Sequence, residues 1–335
     1  MPYRIGIDLG SLNIRICTSK KALVVDEPSV VAIDVSKQKV VAVGKEAKSM
    51  LGRTPEGLMA AHPLCDGVIA SFKTTKQMLQ IYFAQILGRL RLLKPDVVVN
   101  IPVGATSTEK KAVIDVIEAV GGKKAYLFKS PLAAALGAGI DISSSSGNMV
   151  IDVGGGKTEI AVISLGDIVS FSSVRYGGKK FDEAIADYVR KKHSLVIGEQ
   201  TAEQVKIEIG SAMPLKKELK MEVSGSNTVS GLPESLILET QDVVNAIKPV
   251  INEIILSVKQ VLQRTPPELS SDIMDRGMVI VGGAGNLRNF DELLTKVTGV
   301  PCQMAENPDG CTIAGIKLAV DHFDDFSSSF IWRSK

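Results

Sequence analysis

Short apolar runs recur along the chain, and most of them are rich in Val and Ile and end at Gly or Pro. Six of these runs predict strands: IGIDL, SVVAIDV, KVVAV, DVVVNI, NMVIDV and GMVIVGG. Between them, apolar residues recur at helical spacing, which predicts helices over residues 72–93, 108–120, 181–192, 201–209 and 242–263. Alternating strands and helices predict an α/β architecture with largely buried sheets.

Two of the predicted helices carry boundary or breaker signals. Ser107 or Thr108 is expected to cap the helix over residues 108–120, and Gly121-Gly122 is expected to end it. Pro249 is expected to kink or restart the helix over residues 242–263, because proline lacks the amide hydrogen that an interior position donates.

The pattern contains an internal echo. Residues 3–19 (YRIGIDLGSLNIRICTS) align with residues 148–164 (NMVIDVGGGKTEIAVIS), and both segments predict a strand, a tight turn of small residues and a second strand. We therefore expect two related halves, with a boundary at SSSSGN (residues 143–148). A third glycine-rich turn, VIVGGAGNLRNF (residues 279–290), is expected to end a strand and open a helix.

Composition narrows the class of protein. The chain has 335 residues, long enough for two domains, and a net charge of +2, which argues against a dedicated nucleic-acid partner. No apolar run reaches transmembrane length, and the first residues do not form a signal peptide, so we expect a cytoplasmic protein. The four Cys and three His residues are scattered, which predicts reduced thiols and no Cys/His metal site.

The tripeptide Gly156-Lys157-Thr158 is similar to the end of a phosphate-binding P-loop. That motif needs a glycine five positions before the Gly-Lys pair and a helix after it. Ile151 occupies the first position, and the residues from Thr158 onward alternate as in a strand. The sequence therefore excludes a P-loop.

Strand–turn–strand segments offer a different phosphate site. Consecutive backbone amides in a glycine turn converge on anionic oxygens, and a β-carbon would obstruct that approach. Asp8 and Asp152 stand at the entries of the two similar turns, where they suit a Mg²⁺ ion held mostly through water. The third turn, Gly282 to Gly285, offers backbone groups to an adenosine or a phosphate. The alternative is three tight turns without a ligand.

These turns resemble the actin–Hsp70–hexokinase superfamily. The blocks EPSVVAI, AVGKEAKSMLGRTPEG, DGVIA, TAEQVKIEIGSA, TPPELSSDIMDRG and NPDGCTIAG resemble the MreB family of bacterial actins almost from end to end. The resemblance implies an actin-like α/β fold with two duplicated domains, divided into four subdomains around a nucleotide cleft. The implied ranges are 1–31, 64–146 and 312–335 for subdomain IA, 32–63 for IB, 147–180 and 243–311 for IIA, and 181–242 for IIB.

The resemblance also implies where ATP or ADP would bind with Mg²⁺. The implied residues are Asp8, Gly10, Ser11, Leu12 and Asn13 in the first turn, Asp152, Gly154, Gly155, Gly156 and Lys157 in the second, Glu203 and Lys206 on a helix, and Gly282, Gly283, Ala284 and Gly285 in the third turn. Asp8 and Asp152 would hold Mg²⁺, mainly through water. Without the resemblance, Glu203 and Lys206 would be interpreted as a surface ion pair.

Three positions depart from the family pattern. Lys157 replaces a threonine that helps to position the attacking water, Ser130 replaces a glutamate that orients or activates it, and Ser71 replaces an aspartate. A serine hydroxyl is no general base near neutral pH, and losing such a base costs ~10²–10⁴ in rate. We therefore expect ATP binding with weak or absent hydrolysis. The alternative is a neutral change with Lys157 in solvent.

Residues 88–95 (GRLRLLKP) place Leu90, Leu92 and Leu93 among basic residues. Apolar tips flanked by cations suit an anionic membrane surface, and in MreB proteins the loop at this position inserts into the membrane. The alternative is a helix end with its leucines packed inward.

The tail, with Trp332, is compatible with packing on the first domain, membrane contact or mobility.

The resulting hypothesis is an ATP-binding, filament-forming cytoskeletal protein at the inner face of the cell membrane. Its expected partners are further copies of itself, the membrane surface and other MreB paralogues. Its role would be in cell shape, or in helicity and motility. The alternatives are a competent ATPase or small-molecule kinase of the same superfamily and, less favoured, a chaperone-like ATP switch.

Overall fold

The computed structural model describes residues 3–88 and 94–332. The strands are β1 (Arg4–Leu9), β2 (Asn13–Thr18), β3 (Lys21–Pro28), β4 (Val31–Asp34), β5 (Lys39–Val43), β6 (Leu58–Ala61), β7 (Leu64–Cys65), β8 (Val68–Ile69), β9 (Asp96–Ile101), β10 (Lys124–Lys129), β11 (Asn148–Val153), β12 (Thr158–Ser164), β13 (Asp167–Val174), β14 (Leu195–Val196), β15 (Lys220–Asn227), β16 (Pro233–Glu239), β17 (Met278–Val281), β18 (Cys302–Met304) and β19 (Phe330–Ile331). The α-helices are α1 (Gly44–Ser49), α2 (Phe72–Leu87), α3 (Ser107–Ala119), α4 (Ser130–Gly137), α5 (Gly178–His193), α6 (Glu199–Ile209), α7 (Thr240–Arg264), α8 (Pro267–Arg276), α9 (Phe290–Thr298) and α10 (Cys311–Asp321).

Two large sheets repeat one strand order. The first runs β19-β10-β9-β1-β2-β3, and the second runs β18-β17-β11-β12-β13. In each sheet, an antiparallel hairpin (β1–β2 or β11–β12) continues into a third antiparallel strand, while parallel strands line its other side. The fold is therefore an α/β fold built from two related halves, as the internal echo in the sequence predicted.

The two halves meet through helices α4 and α10. Their backbones approach so closely that a β-carbon on Gly315 would collide with the carbonyl oxygen of Ala133, and one on Gly137 would collide with that of Cys311. A core cluster that draws residues from both large sheets surrounds these helices, including Val98, Phe128, Val150 and Ala161. The halves are thus joined by one continuous core beneath the cleft that separates the hairpin turns.

Two smaller sheets extend the halves. β5-β4-β6 is inserted after β3 together with α1, and β14-β15-β16 is inserted between α5 and α7 together with α6. None of the described helices is long and apolar enough to cross a membrane.

One predicted helix boundary is wrong, and two other predictions are made more specific. The N-cap of α3 is Thr106 rather than Ser107 or Thr108, because the Thr106 hydroxyl accepts from the Glu109 amide while the Glu109 carboxylate accepts from the Thr106 amide. α7 is continuous across Pro249, so it does not restart there. The third glycine turn opens a short 3-10 helix (Gly283–Asn286), and the next α-helix begins only at Phe290.

Three further predictions concern residues 72–93 and the tail of the chain. The helix predicted over residues 72–93 ends at Leu87, followed by Gly88 with a φ of 45°. The candidate membrane residues Leu90, Leu92 and Leu93 lie outside the described residues. The tail packs on the first half, since β19 pairs with β10, and Trp332 lies 6.4 Å from Tyr126 between ring centroids.

Candidate functional site

A cavity of about 320 Å³ lies where the turns of the two repeated hairpins face each other. Its walls come from both halves of the molecule and from α6. The lining residues are Asp8, Leu9, Gly10, Ser11, Leu12, Asn13, Arg15, Gly67, Asn100, Pro102, Ser130, Asp152, Gly154, Gly155, Gly156, Lys157, Gly178, Glu203, Lys206, Ile207, Gly282, Gly283, Ala284, Asn286, Asp309 and Thr312.

The two hairpin turns touch across this cavity. A β-carbon on Gly155 would collide with the side chain of Leu12, and one on Gly156 would lie 2.9 Å from the Ser11 hydroxyl oxygen. The Ser11 hydroxyl accepts a hydrogen bond of 2.7 Å from the backbone amide of Gly67, which secures the first turn. Glycine at positions 155 and 156 therefore allows the turns to approach one another, leaving backbone amides beside the cavity.

Asp8 and Asp152 occupy equivalent positions at the ends of β1 and β11. Asp8 is buried and accepts a 2.7 Å hydrogen bond from the side-chain amide of Asn100. Burial raises the pKa of Asp8 to about 6, against the opposing effect of Arg15. Burial and the neighbouring Glu159 raise the pKa of Asp152 to about 7. Desolvation therefore disfavours the charged form of both carboxylates, and a cation in the cavity would stabilise that form.

The third turn closes the far side of the cavity. Gly282 has a φ of 85° and lies so close to the Asp152 carboxylate and the Val153 carbonyl that a β-carbon would collide with both. Gly282, Gly283 and Ala284 line the cavity, whereas Gly285 is buried behind them and does not. Glycine at 285 serves packing instead, since a β-carbon there would collide with Ile280.

Glu203 and Lys206 both line the cavity, but they do not pair with each other. The ammonium of Lys206 lies 2.8 Å from the carboxylate of Asp182 on α5. The carboxylate of Glu203 accepts a 2.8 Å hydrogen bond from Lys48 on α1. The isolated surface ion pair that the sequence allowed is therefore wrong, because each residue pairs with a different element.

Lys157 is held at the edge of the cavity rather than in solvent. Its ammonium contacts the carboxylate of Glu159, which is fully buried and also accepts a 2.8 Å hydrogen bond from the amide of Val103. The Lys157 side chain is 15% exposed, and its methylene groups pack over Gly67. The alternative of a solvent-facing lysine is therefore wrong.

Ser130 and Ser71 occupy different environments. Ser130 lines the cavity and is buried, and its hydroxyl donates a 2.9 Å hydrogen bond to the carbonyl oxygen of Ile101. Ser71 precedes α2 and is not among the residues that line the cavity. Two of the three departures from the family pattern thus lie at the cavity, and the third does not.

Sequence reasoning missed several lining residues. Arg15 is buried, its guanidinium donates to Asp26 at 2.9 Å and to the Asp309 carbonyl at 2.7 Å, and it also contacts the Asp309 carboxylate. Asn100 lies near the end of the parallel strand β9, and its side-chain amide donates a hydrogen bond to the carboxylate of Asp8. A polar residue at the carboxyl end of an apolar strand is a recognisable signal for a binding crevice in α/β proteins, so Asn100 could have been found. Arg15 carries no comparable signal, because its partner Asp309 is distant in sequence.

A family model and related proteins match this chain over almost its whole length. The family model described as MreB/Mbl protein matches residues 2–328. The chain is 44% identical over 320 residues to the cell shape-determining protein Mbl of Bacillus subtilis (strain 168), covering 96% of each chain. It is 44% identical over 325 residues to the cell shape-determining protein MreB of Escherichia coli (strain K12), covering 96% of this chain and 94% of that one.

Solved structures agree with the architecture. MreB5 of Spiroplasma citri bound to ADP superposes with a TM-score of 0.92 at 33% identity and covers 98% of this chain and 99% of its own. The same protein bound to AMPPNP gives a TM-score of 0.91 at 32% identity, over 98% of each chain. The fold is therefore actin-like.

Proposed function

The chain belongs to the MreB/Mbl family of actin-like proteins, and on that premise we propose that it binds ATP and ADP and forms filaments that act in cell shape. The observation that carries the nucleotide part is the cavity between the two glycine hairpins, which is lined by both turns and by the carboxylates Asp8 and Asp152. The MreB5 structures that superpose on this fold contain ADP or AMPPNP.

In this proposal, the phosphates lie between the hairpin turns. Residues 10–13 and 155–157 supply backbone donors to the phosphate oxygens, and Gly282, Gly283 and Ala284 face the adenosine. The amide of Gly154 is not among these donors, because it donates to the carbonyl oxygen of Lys157 within the turn. Glu203 and Lys206 line the α6 wall, where they would contact the ribose and adenine. Gly285 supports the third turn from behind without touching the nucleotide.

We also propose that Mg²⁺ accompanies the nucleotide. Asp8 and Asp152 both line the cavity, and oxygen ligands are the ones Mg²⁺ prefers. Their raised pKa values fit a site that is completed by a cation. In the described part of the chain, no group of three or more His, Cys, Asp and Glu side chains is arranged to hold a metal ion. The remaining ligands would therefore come from phosphate and water.

Hydrolysis is proposed to be weak or absent. The hydroxyl of Ser130 donates to Ile101, and no carboxylate stands at that position to act as a base. Lys157 is engaged by Glu159, and a charged ammonium has no lone pair to accept a proton from water. A missing general base costs ~10²–10⁴ in rate. A competent ATPase or a small-molecule kinase of the same superfamily is not favoured.

The first experiment measures nucleotide binding, phosphate release and sedimentation of the purified protein with Mg²⁺-ATP, Mg²⁺-ADP and a non-hydrolysable analogue. We expect binding and pelleting with ATP, and little phosphate release. A soluble monomer that phosphorylates a metabolite would contradict the filament proposal. Electron microscopy of the same samples would identify filaments directly.

Two variants test the hydrolysis proposal. Ser130→Glu together with Lys157→Thr is expected to raise phosphate release by about tenfold or more, since it restores the carboxylate and removes the ammonium. Ser130→Glu alone keeps the contact of Lys157 with Glu159 and tests the carboxylate separately. Ser145→Glu, at an exposed serine outside the cavity, is the control. Family-typical phosphate release by the unmodified protein would overturn the proposal.

The subdomain ranges are proposed as the sequence predicted them. All strands of the six-stranded sheet fall within 1–31, 64–146 and 312–335, and all strands of the five-stranded sheet fall within 147–180 and 243–311. The sheet β14-β15-β16 falls within 181–242, and β5-β4-β6 falls within 32–63 except for Val31. This grouping of strands supports four subdomains with those limits.

A peripheral location at the inner face of the cell membrane is proposed from the sequence of residues 88–95. Leu90, Leu92 and Leu93 would enter the membrane, and the basic residues around them would contact anionic lipid. Vesicles with anionic lipid should co-sediment with the protein, and a Leu92→Ser/Leu93→Ser variant should lose that binding. Unchanged binding would exclude the loop as the membrane contact.

Other MreB paralogues are proposed as partners in mixed filaments.

A further inference from the structure

Four polar contacts connect α6 to the segment that holds α1 and the sheet β5-β4-β6, and the longest is a 3.5 Å hydrogen bond from the Gln200 side-chain amide to the carbonyl oxygen of Leu51. The ammonium of Lys48 on α1 donates to the carboxylate of Glu203 on α6 at 2.8 Å. The side-chain amide of Gln200 on α6 donates to the carbonyl oxygen of Lys48 at 2.9 Å. His62, just after β6, places a ring nitrogen 3.6 Å from the carboxylate of Glu199. The two elements are about 150 residues apart in sequence, so these contacts join separately built parts of the fold.

One face of α6 supplies the whole set. Glu203 lies four positions after Glu199 and three after Gln200, so both residues neighbour Glu203 on the surface of the helix. Lys206, one turn further along from Glu203, points to Asp182 and lines the cavity. The same helix therefore holds residues of the proposed nucleotide site and residues that contact α1.

Glu203 belongs to both sets. It lines the large cavity and also a second cavity of about 110 Å³, whose lining includes Lys48 and Gln200. Leu12 and Asn13, from the first phosphate turn, line both cavities as well. A nucleotide in the large cavity would thus lie beside the carboxylate that Lys48 contacts.

We infer that Lys48 is a positioning residue for the nucleotide. It fixes the carboxylate of Glu203 beside the site and, with Gln200, ties α1 to α6 across the cavity mouth. Breaking these contacts frees both the carboxylate and the mouth, so their loss accelerates nucleotide exit. The inference rests on the proposed nucleotide binding and adds a residue, Lys48, that lines the second cavity but not the large one.

The Lys48 pair is partly exposed, which sets the expected size of the effect. The side chains of Lys48 and Glu203 are 39% and 26% exposed, so water and salt screen their attraction. We expect Lys48→Met to speed nucleotide dissociation by about twofold to fivefold. Raising the salt concentration should speed dissociation from the unmodified protein and change that of Lys48→Met much less.

The experiment follows the release of a fluorescent ATP analogue after adding excess unlabelled Mg²⁺-ATP. Lys45→Met is the matched control, because Lys45 lies on the same helix, is exposed and forms no side-chain contact with α6. Lys48→Arg keeps the cation and should restore slow release. Gln200→Ala removes the second contact from the opposite side and should also speed release. Thermal unfolding without nucleotide establishes that each variant is folded.

The outcomes distinguish a failure of the proposed nucleotide binding from a failure of the role of Lys48. If the unmodified protein retains no nucleotide, the proposed function itself fails. If it retains nucleotide and Lys48→Met releases it no faster than Lys45→Met, the role of Lys48 is overturned. Lost affinity through slower association alone would also overturn it, because the inference concerns retention. Faster release that Lys48→Arg does not correct would assign the effect to packing rather than to charge.

Discussion

Lys157 and Glu159 lie on the same side of the chain as it enters β12, because residues two apart in an extended segment face the same way. Their contact is formed inside the protein, since Glu159 is fully buried and its second carboxylate oxygen accepts from Val103. Lys157 thus neutralises a charge that would otherwise be isolated from water. The substitution that sets this chain apart from the family pattern is therefore tied into its structure.

This arrangement predicts a large cost for removing the cation. Lys157→Met should lower the free energy of unfolding by roughly 3–5 kcal/mol, because it leaves the buried Glu159 carboxylate without a counter-ion. Glu159→Gln in the same chain should recover much of the loss. Chemical denaturation monitored by circular dichroism measures both changes.

The control for that prediction is an exposed pair. Lys180→Met removes the partner of Glu183 on α5, where both side chains are about half exposed, and should cost less than about 1 kcal/mol. If Lys157→Met costs no more than Lys180→Met, the contact with Glu159 contributes little to stability.

Much of the site could be predicted at the level of single residues. The glycines and aspartates of the two hairpins were found because a repeated strand–turn–strand pattern is local. The partners were not, since Lys48, Asp182 and Asp309 reach the site from segments that are close only in the folded chain. Lys157 with Glu159 was a missed local signal, because the two-residue spacing was available in the sequence.

At the scale of elements, α3 illustrates how a boundary is set by hydrogen bonds rather than by periodicity. The apolar pattern located the helix, but Ser107, Thr108 and Thr106 are all acceptable caps by residue type. Glu109 decides among them, because it lies three positions after Thr106 and closes a reciprocal capping box. The glycine contacts between α4 and α10 were equally invisible in the sequence, since they depend on which helices meet.

The capping box predicts a modest and specific loss. Thr106→Ala should lower the free energy of unfolding by about 1 kcal/mol, because the Glu109 amide loses its acceptor. Thr108→Ala is the control, because Thr108 is the second residue of the same helix and is also exposed. This change should be neutral or slightly stabilising. Equal effects of the two changes, measured by thermal unfolding, would rule out a special role for Thr106.

At the scale of the whole molecule, the repeated sheet order explains why one cavity collects residues from both ends of the chain. Each half contributes a hairpin turn with an aspartate at its entry, and the shared core around α4 and α10 holds the two turns face to face. The duplication was predictable from the sequence echo. The contacts between α1 and α6 were not, because they join residues that are more than 150 positions apart and meet only in the folded chain.

This architecture predicts opposite effects of one substitution with and without ligand. Asp8 is buried, and its raised pKa means that its charged form is disfavoured in the protein alone. Asp8→Asn should therefore stabilise the protein without ligand by about 1–2 kcal/mol at neutral pH. Saturating Mg²⁺-ATP at 100 times its Kd should add about 2.7 kcal/mol to the unmodified protein, and clearly less to the variant, because the cation loses a carboxylate.

The measurement is thermal unfolding with Mg²⁺-ATP, with ATP plus EDTA, and without ligand. Asp275→Asn, at an exposed position, is the control. An Asp8→Asn variant that gains as much from Mg²⁺-ATP as the unmodified protein would mean that Asp8 does not serve the cation, and the cleft would then have to hold its nucleotide through the glycine turns alone.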